Sequence, residues 1–519
     1  MSTLQAIPPE PLKDIPYVPI PSKRPWWRSC LLFVLLLFSI IIYVALIGAV
    51  PKADNRIMPF LYVWIISFLP YFIACALVLA TKPALGRWRW AELGIIFGGA
   101  LVLRIMLLPL PPGLSHDSWR YLWDARVILH GYSPYVYAPL DGKLAALRDT
   151  LILGNSRFRN VPTIYPPGAQ AVFVLSYLLA PSNLFVLKGI FVGFDMVTCG
   201  ALALLLARRG LDPRRVILYA WCPLPIVEFA IQGHVDVITL TFTVLSVLTA
   251  TSTMRGARAL TGILIGLGTL TKFYPILLLV VLLRRREWTL KQSALLVACF
   301  ATIILGYIPF LILGHGQVLG FFFTYAAEQG TNAGVIQQMV HWISFYLGLT
   351  LATTILLERI VDLVLLGTVS LAVLILRLLE RISVEAATLL LIGIFLSISS
   401  HVFPWYTTAL LPWVVVLVGP LWTRKGLNGK GIAIAAVWYF TTTSLLGYFF
   451  NYTFDWSLYY ALVYGVVMGG LALAVTVIVR SGSVAPLISP TAAAGRDHQT
   501  PSEKDGLHIR DNVTKRSHP

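Results

Sequence analysis

The chain has 519 residues, of which 57% are hydrophobic and only 12% charged, and its mean hydropathy is +0.78. Soluble globular proteins carry about twice that charged fraction, which excludes a soluble fold for the body of the chain. The net charge of +17 does not point to nucleic acid, because the basic residues collect in short connections between apolar runs (Arg208, Arg209, Arg214, Arg215; Arg284 to Arg286; Arg424, Lys425), as positive charge retained in the cytoplasm does.

Residues 1–26 form a Pro-rich tail, and Lys23, Arg24 and Arg28 flank the first apolar run, which places this end in the cytoplasm. No small-residue cleavage site follows that run, so it reads as a retained span and not a signal peptide. Spans are predicted at 29–50, 57–80 and 91–110, each close to the ~20 residues a bilayer crossing needs. Lys82, Arg87 and Arg89 then lie inside, and the long polar segment 111–167 lies outside.

That outer segment holds the densest chemistry. Between Gly113 and Pro139, Asp117, Arg120, Asp124 and Arg126 are packed among aromatics. Trp119, Tyr121, Leu122, Trp123, Val127 and Ile128 recur at helical spacing, predicting an amphipathic helix on the outer interface with its rings in the headgroup layer. Gly131 and Ser133-Pro134 end it. On a helix Asp117 shares a face with Arg120 and Asp124. A carboxylate just beyond a span suits a general base for a hydroxyl acceptor, with cations nearby for a leaving phosphate. The plain alternative is an interfacial helix with surface ion pairs. Residues 141–160 are a basic connection, and Thr163 to Gly168 form a rigid turn, where Tyr165, with Tyr132, Tyr135 and Tyr137, would shape a cavity mouth.

The run 169–181 is short for a span, whereas 184–207 is long enough. Charge parity requires an odd number of crossings here, so one of the two reads as re-entrant. Residues 216–229 and 237–251 form an out-and-back pair with Pro223, Pro225 and Gly233 at its outer end. Glu228, His234 and Asp236 cluster there, and ionisable groups at membrane depth are costly and usually functional. They would bind a polar ligand, or else satisfy helix ends. Lys272 stands alone in the run 259–283, flanked by basic clusters on both sides. Two half-helices meeting at Lys272 to Pro275 reconcile those clusters, as does one span with a charge cluster on the unexpected side. Lys272 either holds a phosphate as a point charge or snorkels to a headgroup. A span at 292–313 leads to an outer loop, 314–335, with Tyr325, Glu328 and Gln329, and apolar runs follow at 336–357, 361–378, 384–400, 403–420, 431–449 and 457–480. His401, beside Phe403 to Tyr406, would donate to a phosphate when protonated or place the acceptor.

The expected fold is thus an all-α polytopic membrane protein of about 12 to 14 spans, with a membrane domain over 27–480 and a disordered cytoplasmic tail over 481–519. Five cysteines show neither disulfide nor metal spacing.

Five stretches in fixed order carry a resemblance: HDSWRYLWDARVILHGYSPYVYAP, TIYPPGAQ, EFAIQGHVD, TKFYP and HVFPWYTTALLP. Over about residues 90–420 the chain resembles the polytopic glycosyltransferases of the GT-C superfamily, and is most similar to bacterial polyprenyl-phosphate-mannose-dependent mannosyltransferases (GT87-like). The resemblance implies a GT-C-type bundle in the cell membrane of the envelope, with its active site facing away from the cytoplasm. It implies a polyprenyl-phosphate sugar donor, a lipid-linked or glycan acceptor, and an essential carboxylate in the first outer loop, here Asp117. On that reading Lys272, His401 or Arg120 neutralises the departing donor phosphate, His401 otherwise placing the acceptor in the catalytic site, and Asp124, Tyr165, Glu228, His234 and Asp236 contact sugar or acceptor. Some members use an acidic pair and a divalent metal; here His116 precedes the Asp, so no cofactor is expected. The rival readings are the same chemistry with glucose or arabinose, and a lipid or sugar transporter or flippase. A transporter would show inverted repeats, which the two halves of the chain lack.

Overall fold

The structure, a computed structural model, describes residues 26–50, 57–83, 86–283, 290–327, 332–424, 426–453 and 456–481. Lys23, Arg24, Arg284 to Arg286, Glu328, Gln329, Lys425 and the two tails therefore lie outside the described residues. In chain order, α1 (Trp26–Gly48), α2 (Met58–Ile66), α3 (Phe68–Ala80) and α4 (Arg87–Leu107) precede the polar segment with α5 (Asp117–Leu129) and α6 (Ile152–Asn155). Next come α7 (Pro167–Leu179), α8 (Leu184–Arg208), α9 (Ile217–Ala220), α10 (Pro223–Ala230), α11 (Asp236–Ala250), α12 (Ala257–Thr269) and α13 (Leu278–Leu282). The second half contains α14 (Leu290–Leu313), α15 (Phe322–Ala327), α16 (Val335–Tyr346), α17 (Leu351–Leu378), α18 (Val384–Ser397), α19 (Pro404–Thr407), α20 (Leu411–Leu417), α21 (Gly429–Thr443), α22 (Leu446–Thr453), α23 (Trp456–Tyr459) and α24 (Val466–Arg480). A two-residue hairpin pairing, Trp422–Thr423 with Gly426–Leu427, interrupts the helices.

Seven of these helical stretches are long and apolar enough to cross a membrane, and five shorter apolar helices pack among them. The chain is an all-α polytopic membrane protein. Their outward faces stay apolar: Ile41, Ile304 and Leu363 are all exposed, as lipid-facing positions must be. Several charged groups turned inward are paired with each other, because an unpaired charge in such surroundings is costly. Arg104 on α4 donates through Nε to Asp195 Oδ2 on α8 at 2.6 Å, and Tyr219 donates to Asp195 Oδ1 at 2.5 Å. A second buried group joins Glu92 to Arg214 at 2.6 Å and to Arg28 at 3.6 Å.

Close backbone packing sets the middle of the bundle. A Cβ on Gly262 would stand 2.2 Å from the Leu295 carbonyl oxygen, and one on Gly266 would stand 2.7 Å from Thr302 Cβ. These two glycines, four apart on one face of α12, let α14 pack directly against it, as small residues do between membrane helices.

Three expectations need correction or refinement. The helix over 117–129 forms, but much of its apolar face meets protein and not headgroups: Tyr121, Trp123 and Val127 are buried, enclosed by α6, α7 and α8. Tyr121 stacks on Phe173 of α7 with centroids 4.3 Å apart, so its ring joins protein core and not headgroups. The expected runs 336–357 and 361–378 divide elsewhere. Gly348, at φ +66°, turns the chain between α16 and α17, and Glu358, Arg359 and Asp362 lie inside one continuous helix. The run 259–283 breaks between Thr269 and Tyr274, which is the two-half-helix arrangement.

Candidate active site

The polar segment after α4 is anchored by a glutamine from the α10–α11 turn. Gln232 Oε1 accepts from the amides of Gly113, Leu114 and Ser115 at 3.1, 3.0 and 3.3 Å. Ser115 Oγ then accepts from the Asp117 amide at 3.2 Å, starting α5, and Gly131, at φ +79°, ends it. The turn that supplies Gln232 depends on Gly233 at φ +71°, where a Cβ would meet Lys188 Cγ at 3.0 Å and Ser118 Cβ at 3.2 Å. A left-handed, crowded position of this kind admits glycine alone at low cost.

Asp117 emerges from this anchor into a cavity of about 820 Å³, with about a fifth of its side chain left open. The volume is within the ~300–1,000 Å³ of ligand sites. Burial pushes the Asp117 carboxyl up to about 6; the Lys272 ammonium pulls it down and the Asp236 carboxylate pushes it further up. Lys272, in the break between α12 and α13, donates to Asp236 Oδ1 at 2.5 Å and lies 3.7 Å from the centre of the Tyr406 ring. It is therefore held inside the protein by a carboxylate and a ring face, and is not a snorkelling lysine.

Asp117, Asp236, Lys272, Tyr165, His401 and Arg120 all line this one cavity, although they are spread from residue 117 to residue 401. Arg120 is largely committed elsewhere. Its Nε donates to Asp124 at 2.8 Å, and its two terminal nitrogens donate to the Phe158 and Val161 carbonyls at 2.7 and 3.0 Å. It thereby straps the 158–161 segment over α5. His401 sits 4.8 Å from Tyr325 and 5.8 Å from Phe403, ring to ring. Burial lowers its pKa, which favours the neutral ring over the protonated one.

Three expected sugar contacts lie outside the cavity lining. Asp124, Glu228 and His234 are fully buried and stand behind the cavity wall. Asp124 pairs with Arg120 and accepts from Gln170 Nε2 at 3.2 Å. His234 stacks on Trp405 at 3.8 Å, with Nε2 3.4 Å from Glu228 Oε2 and Nδ1 3.8 Å from Asp117 Oδ2. Tyr448 donates to Glu228 Oε2 at 3.3 Å. These groups back the wall that Asp117 and Trp405 present to the cavity.

Several lining or anchoring residues were absent from the sequence reading. Arg157 is an additional cation at the cavity, Gln337 and Asp362 line it from α16 and α17, and Gln232 anchors the loop from outside it. Among the described residues no group of three or more His, Cys, Asp or Glu side chains converges as metal ligands.

The model of glycosyltransferase family 87 matches residues 163–404. The match indicates a glycosyltransferase and bears out the resemblance to membrane enzymes of the GT-C kind. It covers Tyr165, Asp236, Lys272 and His401 and begins after Asp117. Neither a curated protein nor a solved structure matches the chain.

Proposed function

We propose that this glycosyltransferase moves a mannosyl residue from a polyprenyl-phosphate-mannose donor to a hydroxyl of a lipid-linked or glycan acceptor, on the extracytoplasmic face of the cell membrane. The observation that carries the reading is that the half-buried Asp117 carboxylate and the Lys272 ammonium line one cavity. Asp117 accepts the proton of the attacking hydroxyl as its oxygen bonds to the anomeric carbon. The bond from that carbon to the phosphate oxygen breaks, and its electron pair leaves with the polyprenyl phosphate. Lys272, already oriented by Asp236, offsets the phosphate charge as a point cation, and Arg157 and Arg120 are further cations at the cavity. Phosphate needs no proton to depart, so one base is sufficient. A single displacement inverts the anomeric centre, giving an α-linked product from a β-linked donor.

The test is to reconstitute the full chain in liposomes with a panel of polyprenyl-phosphate sugars and a membrane lipid extract. Consumption of the mannosyl donor with an α-mannosylated product is expected. Consumption of another sugar corrects the donor, and movement of intact lipid across the bilayer without transfer overturns the reading.

A further inference from the structure

The hairpin of α16 and α17 contributes a part of the cavity wall where no expected site residue lies. His341 on α16 lies with Nδ1 3.8 Å from Glu358 Oε1 on α17. These helices are antiparallel neighbours joined by the turn at Gly348. Four residues back along α16 and four on along α17, one turn in each helix, the same register brings Gln337 and Asp362 to one level of the seam. Both line the cavity.

Their polar atoms are unsatisfied in a way that calls for a ligand. Gln337 is only 8% exposed, and its Oε1 has no hydrogen-bond partner; Asp362 Oδ1 is likewise buried without one. Buried acceptors left unpaired are costly, and each of these two requires a donor. An aromatic surface stands alongside. Tyr460 donates to the Ala333 carbonyl and to Gln338 Oε1, each at 3.1 Å, which ties the segment directly after α23 to the start of α16. Trp456 and Tyr459 of α23 also line the cavity.

We propose that Gln337 and Asp362 form a hydroxyl-binding subsite for the acceptor, a sugar or polyol whose O–H groups donate to Gln337 Oε1 and Asp362 Oδ1 while its C–H face lies on Trp456. The donor phosphate is a poor occupant, because a carboxylate repels it and the ammonium and guanidinium groups of the cavity come from other elements. The acceptor role rests on the glycosyl-transfer reading; the binding of a hydroxyl-rich ligand does not.

The experiment therefore reads binding without turnover. Full-length protein in nanodiscs is titrated with methyl α-mannoside and methyl α-glucoside, followed by saturation-transfer NMR and Trp fluorescence, using wild type, Gln337→Leu, Asp362→Leu, Asp362→Asn and Asp117→Asn. Binding should weaken about tenfold in each leucine variant, the loss of roughly one buried hydrogen bond to the ligand. It should persist in Asp362→Asn, which keeps the acceptor oxygen, and in Asp117→Asn, which shows that the subsite stands apart from the base. A thermal melt of each variant separates lost binding from lost folding. Three results overturn the proposal: no glycoside binding to wild type, equal binding in folded leucine variants, or binding lost in Asp362→Asn and dependent on added Ca²⁺, which would make the pair a cation site.

Discussion

Lys272 Nζ lies 2.5 Å from Asp236 Oδ1 across the break that ends α12, and the Tyr406 ring lies 3.7 Å below it. Asp236 opens α11, so the cation is fixed by a group from a neighbouring helix and presented at the cavity where a phosphate has been proposed. Removing it should weaken donor binding about 10- to 100-fold, as loss of a charge-assisted contact of ~1.5–3 kcal/mol does. Lys272→Ala tested by equilibrium binding of a polyprenyl-phosphate sugar measures this. Unchanged donor affinity in a variant of normal yield would confine Lys272 to a structural pair with Asp236.

Asp117 makes a pH prediction whose sign is fixed by its surroundings. Burial holds its carboxyl up to about 6, and only the carboxylate accepts a proton. Activity should therefore be level above about pH 7 and fall ~tenfold per pH unit below 6. An ordinary carboxylate would place that fall near pH 4. Because Lys272 pulls the value down, Lys272→Ala should move the inflection upward. Asp117→Asn should lower turnover at least ~10²-fold while donor binding persists. It should not reduce thermal stability at pH 8: a carboxyl whose folded value is raised contributes stability below its unfolded value, which is lost as pH rises through 6. Turnover of Asp117→Asn near the wild-type level would remove Asp117 from the base role.

The anchor of that carboxylate is also testable. Gln232 Oε1 holds three successive amides of the segment preceding Asp117. Gln232→Leu has a similar volume and no acceptor, leaving those amides to find water. We expect a stability loss of ~1–3 kcal/mol, a fall in kcat exceeding any change in donor affinity, and a downward shift of the pH inflection as the loosened loop hydrates Asp117. Gln232→Glu, which retains an acceptor, should recover the inflection. An inflection that stays at 6 in Gln232→Leu would leave Gln232 a purely structural residue.

What the sequence made legible follows from how each feature is encoded. Helix existence and the all-α membrane class could be read because apolar length is a local signal, and the break at Lys272 stood as one of two readings of an isolated charge. The gathering of Asp117, Asp236, Lys272 and His401 could be anticipated only from motif order, since contacts across up to 284 residues of separation leave no mark in periodicity. The burial of α5 was misread because its aromatics fit a headgroup layer and a protein core equally well; α7, with Phe173 against Tyr121, decided between them. Asp124, Glu228 and His234 were assigned to ligand because charge in an apolar chain draws attention, yet charge also serves to hold other charge. Gln232, Gln337 and Asp362 escaped notice for the converse reason: two are uncharged, and Asp362 lies one turn from Glu358 in a helix whose boundary was misplaced.

The buried pair of Arg104 and Asp195 tests whether the bundle depends on charge matching. Both side chains are wholly buried, Nε to Oδ2 is 2.6 Å, and Tyr219 and the Ala220 carbonyl complete the group. Breaking such a pair by removing one member leaves an uncompensated charge, costing ~3–5 kcal/mol, whereas neutralising both costs much less. Arg104→Met should therefore lower the melting midpoint sharply in detergent. Adding Asp195→Asn, which still accepts from the Tyr219 hydroxyl, should restore most of the loss even though it removes a second native group. Equal and additive losses in the two single variants would mean that water or lipid headgroups reach the site, and that the pairing is not what keeps α4 and α8 together.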